Sequence, residues 1–581
     1  MSVLADIRRA VTQFDSTVEQ QVKRARSDDR FARELVRKWR QTIQRVPITT
    51  TPTGIPLPRL ALPPTQDPAE IARYLYGQGL PGQFPFVNSA YPAIYLDSEG
   101  DHREEPTRLF AGLGLAEDTN ARFHYLRRHQ RTIRLSTAFD GPTLYGMDSD
   151  EEGVFGKIGE GGVAIDTVDD MERLYAGFPL GAENFSASMT INGPAPILLA
   201  MYVAAARRRF GPGVVKKLRG TVQADILKEV QAQNEVLFPV DASLRFLLDM
   251  IDFTTAKMPR WYPISISGYH IAEAGATPVQ QAAYTLSNGF TYVELLRARG
   301  LDVNDFGPRL SFFLDCGLDV EYLVLTRVCR KIWAIAIRDV FGGNESAQKF
   351  KVHTQTSGRS LIATDFKNNL TRTAVELMLS YINCTNSCHS NSADEPFTTP
   401  SQEYVRLAAH GQAILLEESG LFKHVMNLLA GSPGMLAVER AVEAAILAEF
   451  DNIDRLGGVL AAMEYRYQRS QIQNAAHRYE AQIYDGTRPM IGLNRYREDA
   501  AEPDVPLVRT PAKKKRLQIA RLREFRRKHA KRSGKALDAL SKVVESGGNV
   551  FAELINTVEH CSLGQITARL HELVGRYRPS V

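Results

Sequence analysis

Between residues 70 and 430 the chain repeats one arrangement: short apolar segments of strand length, separated by longer amphipathic stretches. Eight segments have this character: 133–138 (IRLSTA), 185–191 (FSASMTI), 218–223 (LRGTVQ), 263–268 (PISISG), 289–294 (GFTYVE), 309–313 (RLSFF), 350–356 (FKVHTQT) and 381–387 (YINCTNS). Strands alternating with helices call for βαβ units and a parallel sheet. Eight such units predict a closed barrel rather than an open doubly wound sheet. The expected fold is therefore α/β, a (β/α)8 TIM barrel with an N-terminal extended arm and a C-terminal helical extension. The strands are unusually polar. Buried parallel strands are normally rich in Val, Ile and Leu, yet these carry Ser136, Ser186, Ser188, Thr190, Ser265, Ser267, Thr354 and Thr356. Small hydroxyl side chains would leave room along the axis and supply hydrogen bonds, which a barrel needs if a long ligand threads it.

The flanks differ in composition. Residues 1–69 form an arm: charged helix to about residue 45, then a stretch with six prolines over 46–64 that favours an extended path along a partner, along its own protein, or as a linker. Residues 70–435 hold the barrel pattern, 436–505 read as a helical extension, and 506–581 as a basic, linker-like helical tail.

Charge is concentrated in that tail. The 581 residues carry a net +5, but Lys513 to Lys535 alone contain 12 Lys/Arg against Glu524, so the rest of the chain is net acidic by six. Three readings stand for the basic segment: a solvated helix face or tether, a docking face for an acidic small subunit or cofactor domain, or a nucleic-acid patch, the last disfavoured because only Phe525 could stack on a base. The five cysteines make no disulfide framework, which fits a reducing, cytoplasmic setting. The N-terminus has no apolar signal-peptide core, and Ala195–Ala206, the longest apolar run, falls short of the about 20 residues that span a bilayer.

Seven stretches carry a resemblance: LSTAFDGPTLYGMDSD (135–150), SASMTINGPAP (186–196), GTVQADILKEVQAQN (220–234), ISISGYHIAEAGAT (264–277), FGPRLSFF (306–313), HTQTSGRSL (353–361) and NSCHSNSADE (386–395). In order and over about 400 residues, they resemble the adenosylcobalamin-dependent acyl-CoA mutases, the methylmalonyl-CoA mutase family. Through GFTYVE, RKIWAIAIRD and QTSGRSL they resemble the mutase portion of isobutyryl-CoA mutases most closely. The resemblance implies an acyl-CoA along the barrel axis, adenosylcobalamin against one end, and a radical 1,2-migration of the thioester group. The cofactor supplies the radical; the protein supplies positioning and a sealed pocket.

Roles transfer by motif position. His270 matches the histidine that donates to the thioester carbonyl, Tyr269 the residue that crowds the adenosyl group, and Gln223 a second polar contact. Ser136, Ser188, Thr190, Arg309, Ser311, Tyr91 and Arg108 match acyl-CoA contacts, with Tyr95 and Arg103 as weaker candidates near the CoA tail. Glu273, Gln355, His353 and Phe139 match the cofactor face, and no metal ligand is assigned. Methylmalonyl enzymes grip the substrate carboxylate with a tyrosine and an arginine; here those positions are Phe110 and Gln233. A carboxylate buried without a cation is prohibitive, so the resemblance implies an uncharged branched C4–C5 acyl-CoA such as isobutyryl-CoA/n-butyryl-CoA. Isovaleryl/pivalyl-CoA is the nearest variation, and Ala138 disfavours a 2-hydroxyisobutyryl substrate. A catalytically silent acyl-CoA- or partner-binding barrel is the alternative from another class, suggested by HREEPTRLFAG standing where the family has PWTxRQ.

Two motifs of the fused enzymes are missing. None of the 12 histidines lies in DxHxxG, which carries the lower cobalt ligand, and no GxxxxGK[ST] occurs. The expectation is a large subunit that shares adenosylcobalamin with a small cobalamin-binding subunit as a hetero-oligomer, with a GTPase chaperone as a further candidate partner.

Overall fold

The computed structural model describes residues 2–96, 108–498 and 507–579. Eight parallel strand positions run in chain order around the barrel: β1 (Leu109–Ala111), β2 (Ile133–Ala138), β3 (Phe185–Thr190), β4 (Gly220–Val222), β5 (Trp261–Tyr262 continuing as Ile264–Ser267), β6 (Leu310–Cys316), β7 (Val352–Thr356) and β8 (Ser387–His389). The interruption in β5 falls at Pro263, which has no N–H to give the ladder. Beyond it the wall resumes, with Ser265 N–H donating to Gln223 O at 3.0 Å. β8 and β1 share no ladder among the described residues. They meet through side chains: Arg108 Nε donates to Ser387 Oγ at 3.3 Å and the Phe110 and His389 rings lie 5.0 Å apart.

Burial alternates along β3. Phe185, Ala187 and Met189 are buried towards the helices, whereas Ser186, Ser188 and Thr190 are only partly covered. The period-2 alternation of a strand puts the second set on the axis, so the axis is not packed solid with branched side chains. Register joins Phe110, Ser136, Ser188, Thr221 and Tyr262 into one row across five strands. Ser265 opposite Ser311 begins the matching row on the other side. On β7 the phase is reversed from the sequence expectation. His353 and Gln355 are the partly covered positions, while Thr354 and Thr356 face away and bond Thr385 Oγ1 (3.0 Å) and Asn391 N (2.8 Å).

Two predicted strands are corrected. GFTYVE (289–294) lies inside the helix Pro278–Ala298, a helix buried on nearly every side. With no polar face it shows no helical period, and its Phe, Thr, Tyr and Val imitate a strand. Tyr381 and Ile382 end the helix Asn369–Ile382, and the strand begins only at Ser387. The eighth strand is instead the three-residue β1, too short to register as a pattern.

Ala195–Ala206 is buried throughout. The helices Val168–Leu174 and Val550–Thr557 pack against it. The arm folds onto its own protein: two helices (Val3–Ser27, Asp29–Arg45) broken at the capping Asp28, then a short hairpin. Asn427 pairs with both backbone groups of Ala61 at 2.8 Å, and Trp39 Nε1 donates to Pro63 O at 3.2 Å. All five cysteines are buried and unpaired. No helix among the described residues is long and apolar enough to cross a membrane.

The basic tail is one 35-residue helix, Ala512–Ser546. Its inner face is neutralised by the acidic body, which corrects the solvated-tether reading. Lys514 pairs with Asp118, Lys515 with Glu160 (2.7 Å), Arg521 with Glu117 (2.7 Å), and Arg526 with Asp148 and Asp150. Asp148 is wholly buried, and it also accepts from Ser562 Oγ (2.5 Å) and Gly564 N (2.8 Å). Removing one partner of a buried pair strands the other charge. Arg526→Met is therefore expected to destabilise the fold by about 3 kcal/mol, and the second change Asp148→Asn should recover part of it. Hydrogen exchange should show 512–546 losing protection first; unchanged protection would show that the pair does not fasten the helix.

Candidate active site

The reactive end is built where β3, β4 and β5 stop, and its polarity can be followed atom by atom. The backbone N–H of Asp225 can only donate, and it donates to Asn192 Oδ1 at 3.1 Å. Asn192 must then present its –NH2 to Gln223 Oε1, at 3.2 Å. Gln223 in turn presents its –NH2 to Ser267 Oγ, at 3.3 Å. The buried Ser267 hydroxyl has no other acceptor among the described residues, so it gives its proton to His270 Nδ1, 2.7 Å away. A neutral imidazole carries one N–H, so His270 bears its proton on Nε2. Burial, and secondarily the charge of Lys228, hold its pKa well below the usual value. His270 is thus a neutral Nε2–H donor at physiological pH.

Asp225 anchors the chain a second way. Its carboxylate accepts Ser267 N–H (2.7 Å), Tyr292 OH (2.7 Å) and its own helix's Lys228 N–H (3.2 Å). It caps the helix Ile226–Ala232 and ties it to β5.

Beside His270 stands an aromatic cluster. Tyr269 stacks on Phe313 with ring centres 4.8 Å apart and planes 10° apart, and Phe313 lies 5.2 Å from His353. Tyr269 OH accepts from Gln355 Nε2 (3.0 Å), whose –NH2 also reaches Asn391 Oδ1 at 2.7 Å. Glu273 receives Gly358 N–H at 2.8 Å, and any Cβ at Gly358 would sit 2.6 Å from Glu273 Oε2. A side chain there would push the Glu273 carboxylate aside. Burial raises the carboxyl pKa of Glu273, and raises that of nearby Glu395 to about 7.

The opposite mouth of the barrel is cationic. Arg108 Nη1 donates to Ser188 Oγ at 2.5 Å, and burial, with Arg134 adding to it, lowers its pKa to about 9. Arg309 donates to Met258 O at 3.3 Å. Lys351, lowered to about 8 by burial and then by Lys349 and Arg309, bonds Pro308 O and faces the Tyr262 ring. Arg309, Arg134, Arg108 and Arg219 all act electrostatically on Tyr262. A barrel axis with a neutral donor at one end and this cluster at the other suits a long ligand with an anionic tail.

The description "Methylmalonyl-CoA mutase" belongs to a family model that matches residues 51–576. The chain belongs to the methylmalonyl-CoA mutase family. Among its relatives are proteins named fused isobutyryl-CoA mutase from Geobacillus kaustophilus, 44% identical over 577 residues, and from Nocardia farcinica, 43% identical over 581. These alignments cover 94% and 96% of this chain but 52% and 53% of those proteins, so the chain spans about half their length. A protein named 2-hydroxyisobutanoyl-CoA mutase large subunit, from Aquincola tertiaricarbonis, is 36% identical over 508 residues, which are 86% of this chain and 88% of that protein.

The remaining residues assigned from family resemblance fall into three groups. Phe110 packs on His389, a neutral imidazole whose pKa burial lowers to about 4. His353 Nδ1 lies 2.8 Å from Ser387 Oγ, and Ser311 Oγ donates to Ile264 O at 2.9 Å within the wall. Gln233 Oε1 accepts from Lys228 Nζ at 2.9 Å. Three residues sit elsewhere. Phe139 is 3% exposed in the apolar core and bridges to Val163. Tyr95 is sealed against Tyr381 and Phe422 and gives its OH proton to Tyr381 O, while Tyr91 receives Lys349 over its ring. Arg103 lies outside the described residues.

Sequence reasoning placed Ser267 only among the axial hydroxyls and gave no role to Asn192, Asp225, Lys228, His389, Arg134, Arg219 or Lys351. The mouth cations had a signal: Arg134, Arg219, Arg309 and Lys351 each stand at or just before the start of a barrel strand.

Neutral His270 predicts a pH profile. A depressed pKa keeps the ring neutral through neutral pH; only when pH falls well below 6.5 does Nδ1 gain a proton, which breaks the bond from Ser267 and buries a cation while Nε2–H remains. Ser267→Ala removes the group that fixes the tautomer. In ¹⁵N NMR the wild-type ring should be protonated on Nε2 alone, and Ser267→Ala should show a mixture. A wild-type ring protonated on Nδ1 would refute the relay.

Proposed function

We propose that this chain is the substrate-binding and catalytic portion of an adenosylcobalamin-dependent acyl-CoA mutase. Its preferred substrate is an uncharged branched C4–C5 acyl-CoA, with isobutyryl-CoA and n-butyryl-CoA as the first pair to test. The observation that carries this reading is the neutral His270, held 2.7 Å from Ser267 Oγ at one end of the barrel axis, with a cluster of cations at the other. In an acyl-CoA lying along that axis, the phosphates would meet Arg108, Arg134, Arg309 and Lys351, and the thioester carbonyl would meet His270. A neutral donor stabilises negative charge developing on the carbonyl oxygen without burying a cation. No proton needs to leave His270: it holds the migrating group in place.

The residues at the His270 end fit the adenosyl portion of the cofactor. Glu273, partly covered, and Glu395, open to solvent in this structure, are acceptors suited to ribose hydroxyls, and the Tyr269–Phe313 stack forms a flat apolar wall. Adenosylcobalamin, when bound, supplies the organic radical that takes hydrogen from the substrate. This chain's part is to orient the acyl group, exclude water and hold the carbonyl. Cobalamin itself would be carried by a small cobalamin-binding subunit, an arrangement supported by the 88% coverage of a relative named as a large subunit.

Acyl selectivity follows from Phe110 and Gln233, which offer a carboxylate no cation. The 581-residue chain, combined with adenosylcobalamin and a cobalamin-binding subunit of the family, is expected to convert isobutyryl-CoA faster than methylmalonyl-CoA. The reverse order would overturn the acyl assignment, and no rearrangement of any C4–C5 acyl-CoA would overturn the enzyme reading. His270→Ala should lower kcat by about 10²–10³-fold with CoA affinity retained.

A further inference from the structure

Lys228 and Glu229 are both wholly buried, with Lys228 Nζ 2.5 Å from Glu229 Oε1. A buried ion pair is poor evidence for stability, because well-packed apolar residues often do as well. This pair has a second bond that apolar residues could not make. Lys228 Nζ also donates to Gln233 Oε1 at 2.9 Å. An ammonium only donates, so it turns the oxygen of the Gln233 amide towards itself. The –NH2 of Gln233 is left with no hydrogen-bond partner among the described residues.

The backbone of the same turn is clamped from outside. Gln233 N–H closes on Glu229 O at 3.1 Å, and Gln233 O accepts from Arg469 Nη2 at 2.7 Å. Arg469, on the extension helix Tyr467–Tyr484, also gives Val230 O two bonds, from Nε (3.1 Å) and Nη2 (2.7 Å). A cation bonded to the last carbonyls of the helix Ile226–Ala232 also suits that end of its dipole. This helix packs on Tyr269–Glu273, which carries His270. The turn bearing Gln233 is therefore held on both sides and registered to the reactive end.

We propose that Lys228 and Arg469 are positioning residues: they fix the Gln233 –NH2 as the polar wall of the acyl pocket, so discrimination among acyl groups depends on them. The proposal rests on the acyl-CoA reading above but is tested by binding alone. Lys228→Met would strand Glu229, so the inner variant is Lys228→Met with Glu229→Gln; the outer variant, Arg469→Leu, leaves the buried pair intact. Calorimetry on the full chain would compare isobutyryl-CoA with CoA. The wild type is expected to prefer isobutyryl-CoA, both variants to keep wild-type CoA affinity, and both to lose the acyl preference by about tenfold. Arg469→Lys, which keeps a donor at the helix end, should retain more of it than Arg469→Leu. The proposal is overturned if the wild type has no acyl preference, if the variants keep it, or if both affinities fall together as a structural role would require. Turnover of the wild type separates the two ideas: lost preference in the variants without wild-type rearrangement sustains the positioning role and removes the mutase reading.

Discussion

Asp225 follows directly on β4, after the left-handed Ala224 (φ 52°), and the reactive end is assembled around it. Its backbone N–H sets the direction of the Asn192–Gln223–Ser267 chain, and its carboxylate holds Ser267 N–H and Tyr292 OH. A single backbone donor, which cannot reverse its role, thereby determines which nitrogen of a histidine three hydrogen bonds further on carries a proton. Side-chain amides and hydroxyls alone could flip together. Burial makes the order rigid, because an unpaired amide or hydroxyl costs about 1–3 kcal/mol in such a setting.

The two ends of the barrel use burial in opposite ways. At the His270 end it suppresses charge: His270, His353 and His389 are all held neutral, and the Glu395 carboxyl is raised to about 7. At the other mouth several cations are crowded together, lowering Lys351 to about 8 and Arg108 to about 9. Crowded, partly desolvated cations are a standing cost that an anion relieves. The polarity of the axis thus follows from which charges the walls tolerate, before any ligand is considered.

Strand alternation made the fold readable from sequence. The hydroxyls of FSASMT point one way and its apolar residues the other, as the structure has them. Reading failed where the period carried no information. GFTYVE is helical because surrounding elements bury it on all sides, and β1 is too short for any period. On β7 the pattern VHTQT has polar residues on both faces, so Thr354 and Thr356 were given the axis that His353 and Gln355 occupy. The basic segment misled differently: composition records charge, but not that Glu117, Asp118, Asp148, Asp150 and Glu160 wait on the body to meet it. Of the site, motif resemblance reached His270, Gln223, Tyr269 and Glu273. It passed over the residues that orient them, whose roles arise only from contacts between strands.

A buried lysine near Gln233 raises an objection to the uncharged-substrate reading, since Lys228 could serve as the missing cation for a carboxylate. Its geometry answers the objection. Glu229 sits 2.5 Å from Nζ and is as deeply buried, so the pair presents no net charge. The lysine's other bond is to Gln233 Oε1. A substrate carboxylate would have to displace one of these bonds while desolvating itself. It would also face Glu235, whose pKa burial and Glu229 raise to about 7. Protonating Glu235 would remove that repulsion but supply no positive charge. Among the described residues Lys228 is already paired and Glu235 adds only repulsion, which supports the proposed hydrocarbon acyl group over an acidic one.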